Sequence, residues 1–207
     1  MLHIIYTSCF GDYDTPKPAP AGGHYFGDGC WDGWLNHWIN IALPPLQAAK
    51  RIKVLPQKYL PIHDVSIWVD ASTEVIKDPT PLLDYFPADC DMMAFPSQYG
   101  RRSIWDEAQA CIDQRKAPRD AVERQMGVYA QLGFQGGGLF SGGILFRRNT
   151  KKIHDFSHVW WKHLTQFTMR DMLSGPVAAT IAGIRYKILD PAFRKEYFKQ
   201  YPHGGAL

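Results

Sequence analysis

Apolar and polar positions alternate between strand-like and helix-like stretches along most of the chain. Residues 2–8 are apolar and β-branched enough for a buried first strand. The next segment, 9–33, is crowded with Gly, Pro and Asp, which predicts a long loop. Trp34 to Ile41 reads as a second strand ending at Pro44-Pro45, and residues 45–54 as a helix that stops before Pro56. Val65-Ser66-Ile67-Trp68-Val69 is the best strand in the sequence and ends at Asp70. Pro81 to Phe86 predicts a short helix, and Cys90 to Phe95 a short apolar strand.

In the second half, Ser103 with Asp106 three residues on has the form of a capping box that opens a helix to about Arg115. A further helix is predicted over 118–132. Gly136-Gly137-Gly138 then breaks the chain, and Leu139 to Arg147 reads as a strand interrupted by Gly142-Gly143. Asn149 or Thr150 caps a helix to about Leu164, Asp171 to Ile181 is helical, and the tail from Pro191 is short, aromatic and basic. Strands alternating with helices predict an α/β sandwich with a mostly parallel sheet, in one domain over 1–207.

Composition narrows the function classes. Hydrophobic residues are 45% and charged residues 21% of the chain, which argues against global disorder. The net charge of +3 is too small to point to nucleic acid by itself. No apolar run reaches the eighteen or so residues of a membrane-spanning helix, and the first residues lack the basic flank of a signal peptide. Cys9, Cys30, Cys90 and Cys111 are scattered and exclude a zinc finger by spacing. These features lead to the expectation of a reduced, cytoplasmic protein. Among the eight histidines the one i,i+4 pair, His154 and His158, has no Glu between them and reads as a solvated face rather than a zinc site.

Three segments carry candidate chemistry. The Val65–Val69 strand delivers Asp70 to its carboxyl end, where open α/β sheets bind ligands; the carboxylate suits a hard divalent ion, or else caps the next turn. The run from Gly136 to Gly143 gives a backbone that approaches a ligand closely, or else a flexible connection; it is neither a Walker loop nor a dinucleotide fingerprint. Arg170-Asp171 at a helix start either binds a hydroxyl-rich substrate or caps the helix.

Together these runs resemble the glycosyltransferase-like domain family known from plant mucilage and turgor-control proteins and their bacterial relatives. The matching residues are Tyr6-Thr7 with Phe10-Gly11, Tyr13 and Asp14; Arg51, Lys53, Leu55-Pro56 and Lys58-Tyr59; Ser66 to Asp70; Arg102 with Glu107; Gly143 with Arg148; and Thr168 with Arg170-Asp171 and Leu173-Ser174. They run in family order over about residues 4–180. The resemblance implies a GT-A-type fold, glycogenin-like in layout, and a nucleotide-sugar donor, UDP-linked by expectation. It implies Mn2+ or Mg2+ as cofactor, and retention rather than inversion.

Carried over residue by residue, the resemblance places Asp70, Ser141, Gly142 and Gly143 on the donor. Arg51 and Lys53 are candidate cations for the departing diphosphate, or else surface charges on a helix. Tyr6, Thr7 and Tyr13 surround the first strand's exit, where a base and ribose would lie, and Tyr13 either stacks on the base or packs in the core. Arg102 and Glu107 fall on the acceptor side, and Asp171 with Arg170 at the reacting sugar. Asp70, Ser72 and His203 would hold the metal. Two departures stand out: Ser72 replaces the second acid of the usual metal motif, and Met172 replaces the usual Gln after the Asp. They keep open a non-catalytic sugar- or nucleotide-binding module on the same fold. A hydrolase is the third class, though no paired-carboxylate or nucleophile constellation supports it. The acceptor is left open among a glycan, a lipid-linked sugar, a protein and a modified nucleic-acid base.

Overall fold

The computed structural model describes residues 1–11 and 14–202. Strand β1 (His3–Cys9) is followed by β2 (His24–Gly27) and β3 (Leu35–Trp38), then helix α1 (Pro45–Val54). Strands β4 (Val65–Val69) and β5 (Thr73–Val75), a 3-10 turn over Thr80–Tyr85 and strand β6 (Met92–Ala94) come next. Helices α2 (Ile104–Asp113) and α3 (Arg119–Gln131) precede β7 (Ile144–Arg148). The chain continues through α4 (Lys151–Gln166), α5 (Asp171–Ile181) and β8 (Tyr186–Ile188) to α6 (Pro191–Tyr197) and β9 (Phe198–Gln200).

Seven strands form the central sheet in the order β3-β2-β1-β4-β7-β6-β8. Every neighbouring pair is parallel except those made by β7, which runs against both β4 and β6. The mostly parallel α/β expectation therefore holds, with one reversed strand. The β4 sequence is buried at all five positions, as a strand covered on both faces requires. On one face Ile4, Tyr6 and Trp68 pack with Ile52 of α1, Phe156 and Trp160 of α4, and Ala178 of α5. On the other, Ile5, Ile67, Met93 and Phe146 meet Leu82, Leu83 and the tail residues Tyr197 and Phe198. Helices α2, α3 and α5 enclose a further apolar cluster around Ile104, Val122 and Leu173.

Local rules explain the boundaries. The capping box forms as expected: Ser103 Oγ accepts from Asp106 N at 3.1 Å while the Asp106 carboxylate accepts from Ser103 N at 3.2 Å. Thr150, not Asn149, caps α4, accepting from Ile153 N. Three expectations need correction. The predicted 9–33 loop contains β2, whose four residues sit among turn formers and give too short a pattern to read alone. The strand expected over 34–41 is confined to Leu35–Trp38, because Trp34 turns inward and its Nε1 donates to Lys17 O at 3.0 Å. The strand expected from Leu139 begins only at Ile144, after the glycine pair. In the tail, for which the sequence names no element, residues 191–200 form α6 and β9, and β9 pairs antiparallel with β5 just past Asp70.

Candidate active site

A cleft of about 190 Å³ opens at the carboxyl ends of β1 and β4. The reversed β7 enters at this same edge, so the turn Ser141-Gly142-Gly143 lies beside Asp70. Asp70 N donates to Gly143 O at 2.9 Å, and Ser141 N to Phe95 O at 2.8 Å, which fixes the turn to both neighbouring strands. Ser141 Oγ accepts from Gly143 N at 3.3 Å. Helix α1 forms one wall with Lys50 and Lys53, and the start of α5 forms another with Arg170, Asp171 and Met172.

The floor is an ion-pair cluster built on Lys53. Its side chain is 1% exposed. Its ammonium donates to the Asp171 carboxylate and, at 3.2 Å, to Asp70 Oδ1, and it lies 5.5 Å from the centre of the Trp68 ring. Trp68 Nε1 donates to the same Asp70 oxygen at 2.8 Å, and Lys50 reaches Asp171 at 3.0 Å. The backbone of Lys53 is anchored from behind: its carbonyl accepts from Tyr6 Oη at 2.9 Å and from the buried Arg147 guanidinium at 2.7 Å.

Burial alone would raise the Asp171 pKa, but Lys50, Lys53 and Arg170 override it and hold the carboxyl well below the usual range. Burial works against the charge on Lys53 as well, yet Asp171 and Asp70 outweigh it and raise the ammonium's pKa. Burial prevails at Lys50, whose pKa is lowered. At the far lip Arg101 Nε donates to the buried Glu107 at 2.5 Å, and the exposed Tyr99 ring stacks 4.5 Å from the Arg101 guanidinium.

Of the residues expected at the site, Lys53, Asp70, Glu107, Ser141, Gly142, Gly143, Arg170 and Asp171 line one cleft. Five others lie away from it. Tyr6 is buried under α1, because the alternation of β1 turns it toward the helices rather than past the sheet edge. Thr7 is buried with no partner for its hydroxyl. Arg51 lies off the cleft, where its charge acts on Tyr59. Arg102 is an exposed neighbour of the residue that does face the cleft, Arg101. Ser72 is 1% exposed with an unpartnered hydroxyl, and its carbonyl is tied to Tyr201 N at 2.9 Å. Tyr13 and His203 lie outside the described residues.

Among the described residues, Asp70 and Ser72 do not fit the metal that the resemblance implies. Asp70 Oδ1 already accepts from Lys53 and Trp68, Ser72 is walled off, and an ammonium sits between the two carboxylates. Among the described residues no three acids, histidines or cysteines converge on one point.

A family model for the TOD1/MUCI70 glycosyltransferase-like domain matches residues 44–203. The chain belongs to this family. The matched span excludes the first run noted above, Tyr6 to Asp14, and includes the rest. No curated protein matches the chain. Among solved structures it resembles a glycosyltransferase involved in glycosylation of the major capsid of PBCV-1, at 10% identity and TM-score 0.51, over 100% of this chain and 95% of that one. It also resembles an active-site mutant of LgtC, at 15% identity and TM-score 0.50, over 97% and 87% of the two chains. Both likenesses place the TOD1/MUCI70 domain in the GT-A fold, and the family makes it a glycosyltransferase domain.

Several cleft residues of this TOD1/MUCI70 domain were given no site role by the sequence reading: Lys50, Tyr99, Arg101, Lys116 and Trp68, which stood only within the matched run Ser66 to Asp70. Lys50 had a readable signal, since it lies three residues before Lys53 on the same helix. Arg101 had none, because choosing between two adjacent arginines needs the backbone direction entering α2.

Proposed function

We propose that this domain transfers a sugar from a nucleoside-diphosphate sugar to an acceptor hydroxyl, with the donor lying across the Lys53 cluster. The observation that carries this reading is the convergence of Lys50, Lys53 and Arg170 with Asp70, Asp171 and the Gly142-Gly143 turn at one sheet edge. The cations stabilise charge that develops on the departing diphosphate. The turn brings backbone and little side-chain bulk against the sugar. Asp171 accepts hydrogen bonds from sugar hydroxyls. Phe10, Pro45 and Leu46 form an apolar end beside Asp14, suited to a base and its ribose, and uridine is the first base to test. Tyr99, Arg101 and Lys116 stand at the opposite lip, where an acceptor enters.

Retention is the outcome we favour. An inverting reaction needs a protein base, and a carboxylate held as far down as Asp171 is a weak one. With the acceptor proton passing to the leaving phosphate, no protein base is required.

The test is a panel of sugar nucleotides read by thermal shift and by release of nucleoside diphosphate. One base class should raise the melting temperature and be turned over, at least slowly to water. Binding without any turnover would support a sugar- or nucleotide-binding module instead. No response to any nucleotide would overturn the donor assignment.

A further inference from the structure

The misfit between the cleft and a metal ion has a positive side. We infer that a fixed protein cation takes the divalent ion's place: Lys53 supplies the charge beneath the donor diphosphate, and Lys50 and Arg170 complete it, so that the domain binds its donor without a metal. This inference rests on the donor assignment above.

Three observations support it. First, Lys53 is not a surface lysine resting on an acid. It is buried, it touches both Asp171 and Asp70, and Tyr6 and Arg147 hold its carbonyl from behind. The position is built from three strands and a helix. Second, among the described residues one oxygen of each carboxylate in the cluster is already held by protein donors. Trp68 Nε1 and Lys53 share Asp70 Oδ1, and Lys50 and Lys53 share Asp171 Oδ2. The residue two past Asp70 is Ser72, whose side chain does not reach the cleft. Third, the charges balance differently from an acid-only site. At the floor three basic side chains, Lys50, Lys53 and Arg170, face two carboxylates, Asp70 and Asp171. Two carboxylates alone would repel a diphosphate and need a cation to reverse the sign.

The chemistry balances without a metal. The acceptor oxygen forms a bond to the anomeric carbon while the bond from that carbon to the phosphate oxygen breaks. The electron pair stays on the diphosphate, where the ammonium groups stabilise it, and the acceptor proton passes to a phosphate oxygen. Nothing is oxidised or reduced.

Calorimetry with nucleoside diphosphates, in chelator and then in Mn2+, tests this on the wild-type chain. The dissociation constant should stay within about threefold between the two buffers. Lys50→Gln should weaken binding by about tenfold or more in both, as loss of a charge-assisted hydrogen bond predicts. Lys53→Met should weaken it further; should that variant not fold, the chelator comparison and Lys50→Gln carry the test. Mn2+ alone, followed by its electron paramagnetic resonance signal, should stay free in the presence of wild-type protein. Binding lost in chelator and restored by Mn2+, or stoichiometric Mn2+ binding abolished by Asp70→Asn, would overturn the inference and leave the donor assignment intact. Failure of every nucleotide to bind in both buffers would overturn the donor assignment, and this inference with it.

Discussion

Two adjacent glycines should respond in opposite ways to the same added methyl group. A Cβ on Gly142 would lie 2.5 Å from Asp171 Oδ2 and 3.1 Å from Lys53 Nζ, whereas a Cβ on Gly143 would meet Asp70 Oδ2 at 3.4 Å, an ordinary contact. Neither glycine has a positive φ, so both backbones accept alanine. Alanine at either position gains roughly 0.4–1 kcal/mol by reducing the freedom of the unfolded chain. At Gly143 that gain stands nearly alone. At Gly142 the Asp171 carboxylate must retreat by about 1 Å to reach normal contact, and the retreat pulls it from Lys53. Overpacking costs about 1–3 kcal/mol, and full loss of a buried ion pair about 3–5 kcal/mol. Lys50 still holds Asp171 at 3.0 Å, so the loss is partial. Gly142→Ala should therefore be less stable than Gly143→Ala by about 2 kcal/mol. Urea unfolding at unchanged m-value measures this directly, and the melting temperatures should differ by roughly 4–8 °C. Stabilities within about 0.5 kcal/mol of each other would refute the reasoning: the Asp171 side chain would then move aside freely, and the cluster would not be locked.

Acid should expose the same pair from another side. The Asp171 pKa is depressed in the folded state, so its stabilisation is complete above the unfolded value near 3.9 and is lost as pH falls through the folded value. Wild-type stability should fall more steeply below about pH 4 than that of Asp171→Asn, followed by circular dichroism; parallel curves would contradict this. Gly175→Ala should destabilise by about 1–2 kcal/mol although alanine is the better helix former, because its Cβ would come within 2.9 Å of Phe140 and 3.1 Å of Trp160. A neutral result in thermal unfolding would show that the aromatic pair yields.

The parts of the fold that sequence alone made legible are those with a long period or a strong cap. The buried run of β4, the capping box of α2 and the amphipathic face of α4 each rest on several residues that agree. The missed strands, β2, β5, β8 and β9, have only three or four residues each, too few for alternation to show, and the sheet partner supplies their hydrogen bonds. The site divides in the same way. Asp70 and Asp171 were readable because a strand end and a helix start place them. That Tyr6 would stand behind Lys53 rather than before the ligand depends on which face of β1 meets α1, and the β1 pattern, apolar on both faces, does not distinguish them.

The reversal of β7 has a consequence for how this site changes over generations. Where all strands leave a sheet edge in the same direction, each new side chain at the edge must come from a loop that also carries the chain to the next helix. Here one strand arrives at the edge while its neighbour β4 departs. The arriving turn, Gly142-Gly143, and the departing carboxylate, Asp70, face each other yet belong to no common loop. Variation in the turn reshapes the cleft without altering the loop that carries Asp70, although a side chain added at Gly142 presses on Asp171. Two walls of one cleft are thereby inherited on separate pieces of chain, which meet through the Asp70 N to Gly143 O hydrogen bond.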